Sequence, residues 1–357
     1  MIYRLILKLR HALYDKGILN SYSTSIPSIC IGNVAVGGTG KTPHTEMLLR
    51  MLLNDEEWKS RSIAVLSLGY KRKSRGFQQV LADGSAREFG DEPLQIKKKF
   101  PGVTVAVDKD RVKGCAILAN PASVSDSRHS RKCKHKDFPA ADLVVLDDAF
   151  QYRKLKANLN IVLVDYNHPL SSDSLLPYGR LRDLPERLSH ADIIVATKCP
   201  AYLTDWDRTS FIQSLGVKIS SQKVFFTTIE YTNPAPVYDS FDIRYTYGKR
   251  AIVFSGIADD TPFVRYLSDN YKITKHFKFP DHHSFSGSDI NSLVSASKAA
   301  PTAALVTTEK DAQRVLDNPK VPQMLQERLF QVPIKACFFS QEEEDQFKSA
   351  VLEAIRS

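Results

Sequence analysis

Six consecutive residues, Gly37-Gly38-Thr39-Gly40-Lys41-Thr42, have the makings of a phosphate cradle. Glycines let backbone N–H groups turn inward around phosphate oxygens, and the start of a following helix adds partial positive charge. A lysine in this position reaches the β and γ phosphates, and a threonine hydroxyl can ligate Mg²⁺. The strict G-x-x-x-x-G-K-[ST] pattern opens on a glycine where this chain has Ala35, so the motif needs support from elsewhere. That support is Leu143-Val144-Val145-Leu146-Asp147-Asp148, an apolar run ending in paired acids. A buried strand of this kind delivers carboxylates to the edge of a sheet, where they hold Mg²⁺ directly or through water and the metal neutralises a transferring phosphoryl group. Transfer to an alcohol also benefits from a base that takes the hydroxyl proton. Gly90-Asp91-Glu92-Pro93 and Asp281-His282-His283 are the acid-containing clusters that could supply one, with a histidine bonded to Asp91 able to orient it.

Such residues work only if strands and helices deliver them to one edge. The apolar run Ile26–Val36 leads into the glycine loop, and a helical pattern over Pro43–Leu53 follows it. Further strand-like runs at Ile63–Ser67, Val103–Val107, Leu143–Leu146, Ile161–Val164 and Ile193–Ala196 alternate with helical patterns. This order predicts an α/β fold of the P-loop NTPase type, a mostly parallel sheet sandwiched by helices. The expected organisation is an amphipathic, membrane-associating helix over 1–20, a P-loop kinase domain over 21–220, a connection over 221–250, and a smaller C-terminal α/β domain over 251–357. The polar, basic stretch Asn120–Pro139 reads as a surface insertion.

A chain of 357 residues with 43% hydrophobic content can fill a substantial core. Its 49 Lys and Arg against 40 Asp and Glu, a formal charge of +9, favour anionic partners. Five scattered cysteines without a C-x-x-C pair read as reduced thiols in a cytosolic setting. No run approaches the roughly 20 apolar residues of a membrane-spanning helix. The opening segment places Ile2, Leu5, Ile6, Leu9 and Leu13 among Arg4, Lys8, Arg10 and Lys16, without the uninterrupted apolar core of a signal peptide. It suits either a helix capping the core or one lying in a membrane interface.

Together these segments resemble the tetraacyldisaccharide 4′-kinase family. The resemblance spans most of the chain. It rests on Gly32-Asn33 before VGGTGKTP, Leu66-Ser67-x-Gly69-Tyr70, Gly90-Asp91-Glu92-Pro93, Asp110-Arg111, Asp147-Asp148-x-Phe150-Gln151 and Leu175-Leu176-Pro177-x-Gly179-Arg180-Leu181-Arg182. In the second unit it rests on Ser255-Gly256-Ile257, Phe279-x-Asp281-His282 and Thr307-Thr308-Glu309-Lys310-Asp311. The resemblance implies an ATP- and Mg²⁺-dependent kinase acting on the 4′-hydroxyl of a lipid A disaccharide 1-phosphate precursor. It also implies a peripheral or monotopic protein at the cytoplasmic face of a bacterial inner membrane. Carried onto this sequence, Val36, Gly37, Gly38, Thr39, Gly40, Lys41, Thr42 and Pro43 would bind the nucleotide. Asp91 and His282 would form the base dyad with Lys41 on the phosphates. Thr42, Glu92, Asp147 and Asp148 would serve the metal, and Arg111, Gln151, Arg182 and Asp183 would line the cleft. The chain departs from the family pattern at Leu68 (usually Arg), Ala149 (commonly Gly), Tyr152 (commonly His) and Cys199, which stands where a polar residue is expected.

Two other classes share parts of this pattern. A nucleotide switch of the ParA or GTPase kind also carries a Gly-Gly-x-Gly-Lys-Thr loop. The ParA signature lysine is replaced here by Val36, and Thr197-Lys198-Cys199-Pro200 lacks the acid of a guanine-reading element. A nucleic-acid binder would use the basic stretch Arg128–Lys136, but no aromatic residue is interleaved there, so no nucleic-acid partner is expected.

Overall fold

The computed structural model describes residues 2–124, 133, 135–217 and 221–356. Its larger sheet has nine strands, in the order Ile334–Phe338, Lys223–Tyr231, Ile193–Thr197, Leu159–Asp165, Ser28–Gly32, Leu143–Asp147, Ile63–Ser67, Thr104–Val107 and Gln78–Gln79. Neighbours run parallel everywhere except at the two edges, where Ile334–Phe338 and Gln78–Gln79 are antiparallel. The central strands bury every residue. That is why they read as unbroken apolar runs, since helices cover a parallel sheet on both faces. One core layer packs Leu48, Leu49 and Leu52 of the helix Lys41–Leu53 against Ile29, Val65 and Val145. The opposite layer packs Cys115, Leu118 and Phe211 against Ala64, Val144 and Ile194.

The second unit holds a five-stranded sheet in the order Ala235–Pro236, Leu329–Val332, Ala304–Thr308, Arg250–Ser255 and Lys272–Lys278, parallel except for the short first strand. Its core gathers Phe254, Leu293 and Leu305.

Two boundaries differ from those expected. Lys223–Tyr231, placed in the connection, is a nine-residue strand of the large sheet. Its surroundings concealed it: Ser220-Ser221 and Asn233-Pro234 flank an apolar run interrupted by Thr227 and Thr228, whose hydroxyls donate to the carbonyls of Ala196 and Cys199. The chain also does not remain in the second unit after residue 251. Ile334–Phe338 returns to pair with Lys223–Tyr231, and the helix Gln341–Arg356 buries Phe347, Val351 and Ile355 in the core of the first unit. The two crossings run side by side, with Thr232 N–H donating to Pro333 O at 2.9 Å. Phe347 stands edge-on to Phe225 at 5.3 Å between centroids. Phe347→Ala should therefore lower unfolding free energy by about 3–5 kcal/mol. Urea titration checks this, and a loss under about 1 kcal/mol would place the helix outside the core.

The opening segment is one helix, Ile2–Asp15, with only Leu7 and His11 buried. Ile2, Leu5, Ile6 and Leu9 are 56–77% exposed. The helix therefore does not cap the core with its apolar stripe but turns that stripe outward. Among the described residues no helix is long and apolar enough to cross a membrane. Of the expected insertion Asn120–Pro139, residues 125–132 and 134 lie outside the described residues, and with them most of the basic stretch 128–136.

Candidate active site

The strand Ser28–Gly32 ends directly before the glycine loop, and the helix Lys41–Leu53 begins directly after it. Gly37 and Gly40 take φ of 103° and 85°, the left-handed region that glycine enters without Cβ strain. Second contacts pin the loop. Asn33 Nδ2 donates to Thr39 Oγ1 at 2.5 Å, Thr197 Oγ1 donates to Thr39 O at 3.0 Å, and Val36 N donates to Arg180 O at 2.7 Å. Thr42 is buried in the first turn of the helix.

His44, one turn into the same helix, was not anticipated. Its Nδ1 lies 2.7 Å from Gly40 O and its Nε2 lies 2.8 Å from Thr227 Oγ1, which ties the loop to the neighbouring sheet. Burial pushes its pKa down from 6.5 to about 4, despite the Gly40 carbonyl. The folded protein thus keeps this ring neutral while the unfolded chain would protonate it. Its share of stability is complete above pH 6.5 and is lost as pH falls through about 4, a change of about 3 kcal/mol. Denaturant midpoints from pH 7.5 to 4 should decline over that window, and His44→Gln should flatten the decline.

Asp147 and Asp148 end the strand beside the loop. Asp147 is buried and accepts a bond from Ser67 Oγ at 3.0 Å. Burial, joined by the charges of Glu92 and Asp148, pushes its pKa up to about 7. Asp148 accepts from Arg182, with Nη1 at 3.0 Å and Nη2 also in contact, and lies 3.8 Å from Lys41 Nζ. Burial opposes its ionisation, but Arg182 and Lys41 outweigh that and hold it below the ordinary carboxylate range. Arg182 and Gln151 also reach Asn33.

Asp91 opens the helix Asp91–Lys99, and the turn before it is crowded. Gly90 has φ of 97°, and a Cβ there would stand 3.2 Å from Gly69 Cα. The carboxylate meets the second unit: Arg314 approaches Asp91 Oδ2 through Nε at 2.8 Å and Nη2 at 2.7 Å, whereas His282 Nδ1 is 3.6 Å away. Burial would raise the Asp91 pKa, but the Arg314 guanidinium on its Oδ2 opposes that, and the group sits below the ordinary carboxylate range. Glu92 is in contact with Lys310 Nζ, whose charge lowers its pKa more than burial raises it. Lys99 joins Glu309 at 2.6 Å and Glu46 at 2.8 Å, completing a charged seam between the units.

Of the cleft residues, Arg182 and Gln151 gather at the loop. Arg111 is buried, contacts the carbonyls of Asp108 and Lys109 at 3.4 Å, and lies over the Tyr152 ring. Tyr152 accordingly fills its unusual position by stacking on Arg111 and donating to Asp110 Oδ1 at 3.2 Å. Asp183 is different: its Oδ1 meets His11 Nε2 of the opening helix at 2.6 Å. That helix also reaches the site through Tyr3, which donates to Arg182 O at 2.8 Å, and Arg10, which donates to Gln151 O at 2.9 Å. Sequence reasoning missed Arg314, His44, Thr197 and His11. Only Arg314 had a local cue, lying three and four residues after Asp311 and Lys310 on one helix face.

A sequence model of the tetraacyldisaccharide-1-P 4′-kinase family matches residues 1–356. Among curated relatives, the tetraacyldisaccharide 4′-kinase of Phocaeicola vulgatus is 35% identical over 98% of this chain and 91% of its own length. That of Flavobacterium johnsoniae is 38% identical over 100% and 95%. Of solved structures, Aquifex aeolicus LpxK in complex with ATP superposes with a TM-score of 0.70 at 26% identity, covering 99% of this chain and 96% of that one. Fold and full-length similarity agree, and the chain belongs to the tetraacyldisaccharide 4′-kinase family.

Proposed function

We propose that this protein transfers the γ-phosphoryl group of ATP to the 4′-hydroxyl of a tetraacylated glucosamine disaccharide 1-phosphate, a step of lipid A biosynthesis. The observation that carries this reading is the meeting of a phosphate loop with a carboxylate base in one cluster. Gln95 and Lys99 of the Asp91 helix each reach Glu46 of the loop helix at 2.8 Å, and Lys41 stands 3.8 Å from Asp148, so the Asp91 helix and the loop share one site. The alternative of a nucleotide switch has no observation in its favour.

The donor set fits Mg²⁺. Asp147 is a buried acid crowded by two further carboxylates, an arrangement that a cation relieves, and Thr42 offers a hydroxyl from the loop helix. Among the described residues no three His, Cys, Asp or Glu side chains form a metal cage. Mg²⁺ does not need one, because it keeps waters and takes phosphate oxygens. Thr42 and Asp147 would hold the ion, with Asp148 and Glu92 as the acidic wall behind it; bound there, it would offset charge on the phosphoryl oxygens.

The remaining work falls to the protein. Backbone N–H groups at the glycine loop and the helix start orient the phosphates, Lys41 and Arg111 supply positive charge, and Arg182 fixes Asp148. Asp91 takes the 4′-hydroxyl proton as the new O–P bond forms and ADP leaves with the electron pair of the old one. The outward apolar stripe Ile2, Leu5, Ile6 and Leu9, flanked by Arg4 and Lys8, would lie in the cytoplasmic face of the inner membrane, where an acylated acceptor resides. The test is transfer of radiolabelled γ-phosphate to a tetraacyl disaccharide 1-phosphate in detergent micelles. Mg²⁺-dependent phospholipid product is expected; ATP hydrolysis without lipid product would overturn the acceptor assignment.

A further inference from the structure

Arg314 lies outside the sequence motifs of the site, yet it joins Asp91 to His282. Its side chain is 7% exposed, and each of its five N–H donors has a partner within reach. Nη1 donates to Gly256 O at 2.9 Å and to Asp311 Oδ1 at 2.8 Å. Nε and Nη2 meet Asp91 Oδ2 at 2.8 and 2.7 Å, and Nη2 also lies 3.1 Å from His282 Nδ1.

The anchors belong to the second unit. Asp311 is itself fixed by Gly256 N at 2.9 Å and Thr308 Oγ1 at 2.7 Å, and His282 N donates to Gly256 O at 3.1 Å. Arg314 and His282 therefore hang from one carbonyl as a rigid pair, and Asp91 arrives from the other unit. Two chemical consequences follow. A guanidinium nitrogen can only donate, so His282 Nδ1 must present its lone pair, and the neutral ring carries its proton on Nε2. Both arginine contacts to Asp91 are to Oδ2, so Oδ1 is not taken by the arginine.

We propose that Arg314 is a positioning residue of the transfer site: it grips Asp91 Oδ2 so that Oδ1 faces the acceptor hydroxyl, and it holds His282 as the neutral Nε2–H tautomer. Asp91 then receives the hydroxyl proton on Oδ1, and His282 acts by donation through Nε2. This rests on the kinase reading above. The balance is simple: the hydroxyl oxygen gains phosphorus, its proton moves to Oδ1, and the bridging oxygen of ATP leaves with its electrons.

The first test uses the nucleotide-free protein labelled with ¹⁵N-histidine, with the His282 signals assigned by their loss in His282→Gln. The expected spectrum has an unprotonated Nδ1 and a protonated Nε2 at His282, and Arg314→Met should abolish that preference. In transfer assays Arg314→Lys, which keeps the charge but cannot bridge both partners, should lower kcat about 100-fold while KM for ATP and acceptor stays within about threefold. A wild-type His282 protonated on Nδ1 overturns the proposal, and so does an Arg314→Lys kcat within about threefold of wild type. The spectrum does not depend on the acceptor, so a failed lipid assignment and a failed role for Arg314 are separable. It also stands on the wild type alone if Arg314→Met does not fold.

Discussion

Replacing Asp91 by Asn is expected to lower kcat for phosphoryl transfer by about 10²–10⁴-fold, the range a positioned general base supplies. Asparagine keeps the shape and can still accept a bond from Arg314 but has no basic oxygen. ATP binding should be preserved, because Lys41 and the loop glycines approach the phosphates without Asp91. Some stability should go with it: Arg314 retains Gly256 and Asp311 but loses a charged partner, at a cost of about 1–3 kcal/mol. Single-turnover transfer beside equilibrium nucleotide binding separates the two effects. A variant within about tenfold of wild-type kcat, with binding unchanged, would remove Asp91 from the proton-transfer step.

Lys41→Met is the second large effect. The ammonium sits 3.8 Å from Asp148 and is mostly buried at the mouth of the loop, so its role is to place charge where phosphate oxygens come. Losing one such preorganised donor should reduce kcat/KM for ATP by about 10²–10³-fold. The fold should tolerate it. Asp148 keeps Arg182, so no acid is stranded, and the melting temperature should stay close to that of the wild type. If instead the variant melts far earlier while its ATP kinetics are intact, Lys41 is a structural cation and the loop binds phosphate by its backbone alone.

What the sequence disclosed and what it hid divide along physical lines. The central strands Ser28–Gly32, Ile63–Ser67, Leu143–Asp147 and Ile193–Thr197 were legible because burial on both faces demands unbroken apolar runs, whereas the polar edge strand Gln78–Gln79 was not. Lys41 and the Asp147-Asp148 pair were legible because the loop, the strand end and their residue types are set by local chemistry. Long-range pairing was not. Arg314 meets Asp91 across 223 positions and His11 meets Asp183 across 172, and no local pattern announces either. The opening helix could be read as amphipathic, but which side would be covered depended on His11 finding a partner. Lys223–Tyr231 was hidden for a different reason: the Ser, Asn and Pro residues on either side of it read as a connection and masked the short apolar run between them.

The return of Ile334–Phe338 and Gln341–Arg356 to the first sheet also bears on how the molecule is made. These residues leave the ribosome after the whole second unit, yet the core around the phosphate-loop helix is not closed without Phe347 and Val351. The first unit therefore cannot close its core until the second unit has been synthesised. For the same reason the halves cannot be exchanged between relatives at a single junction. A viable chimaera needs two, one at each of the crossings joined by Thr232 and Pro333.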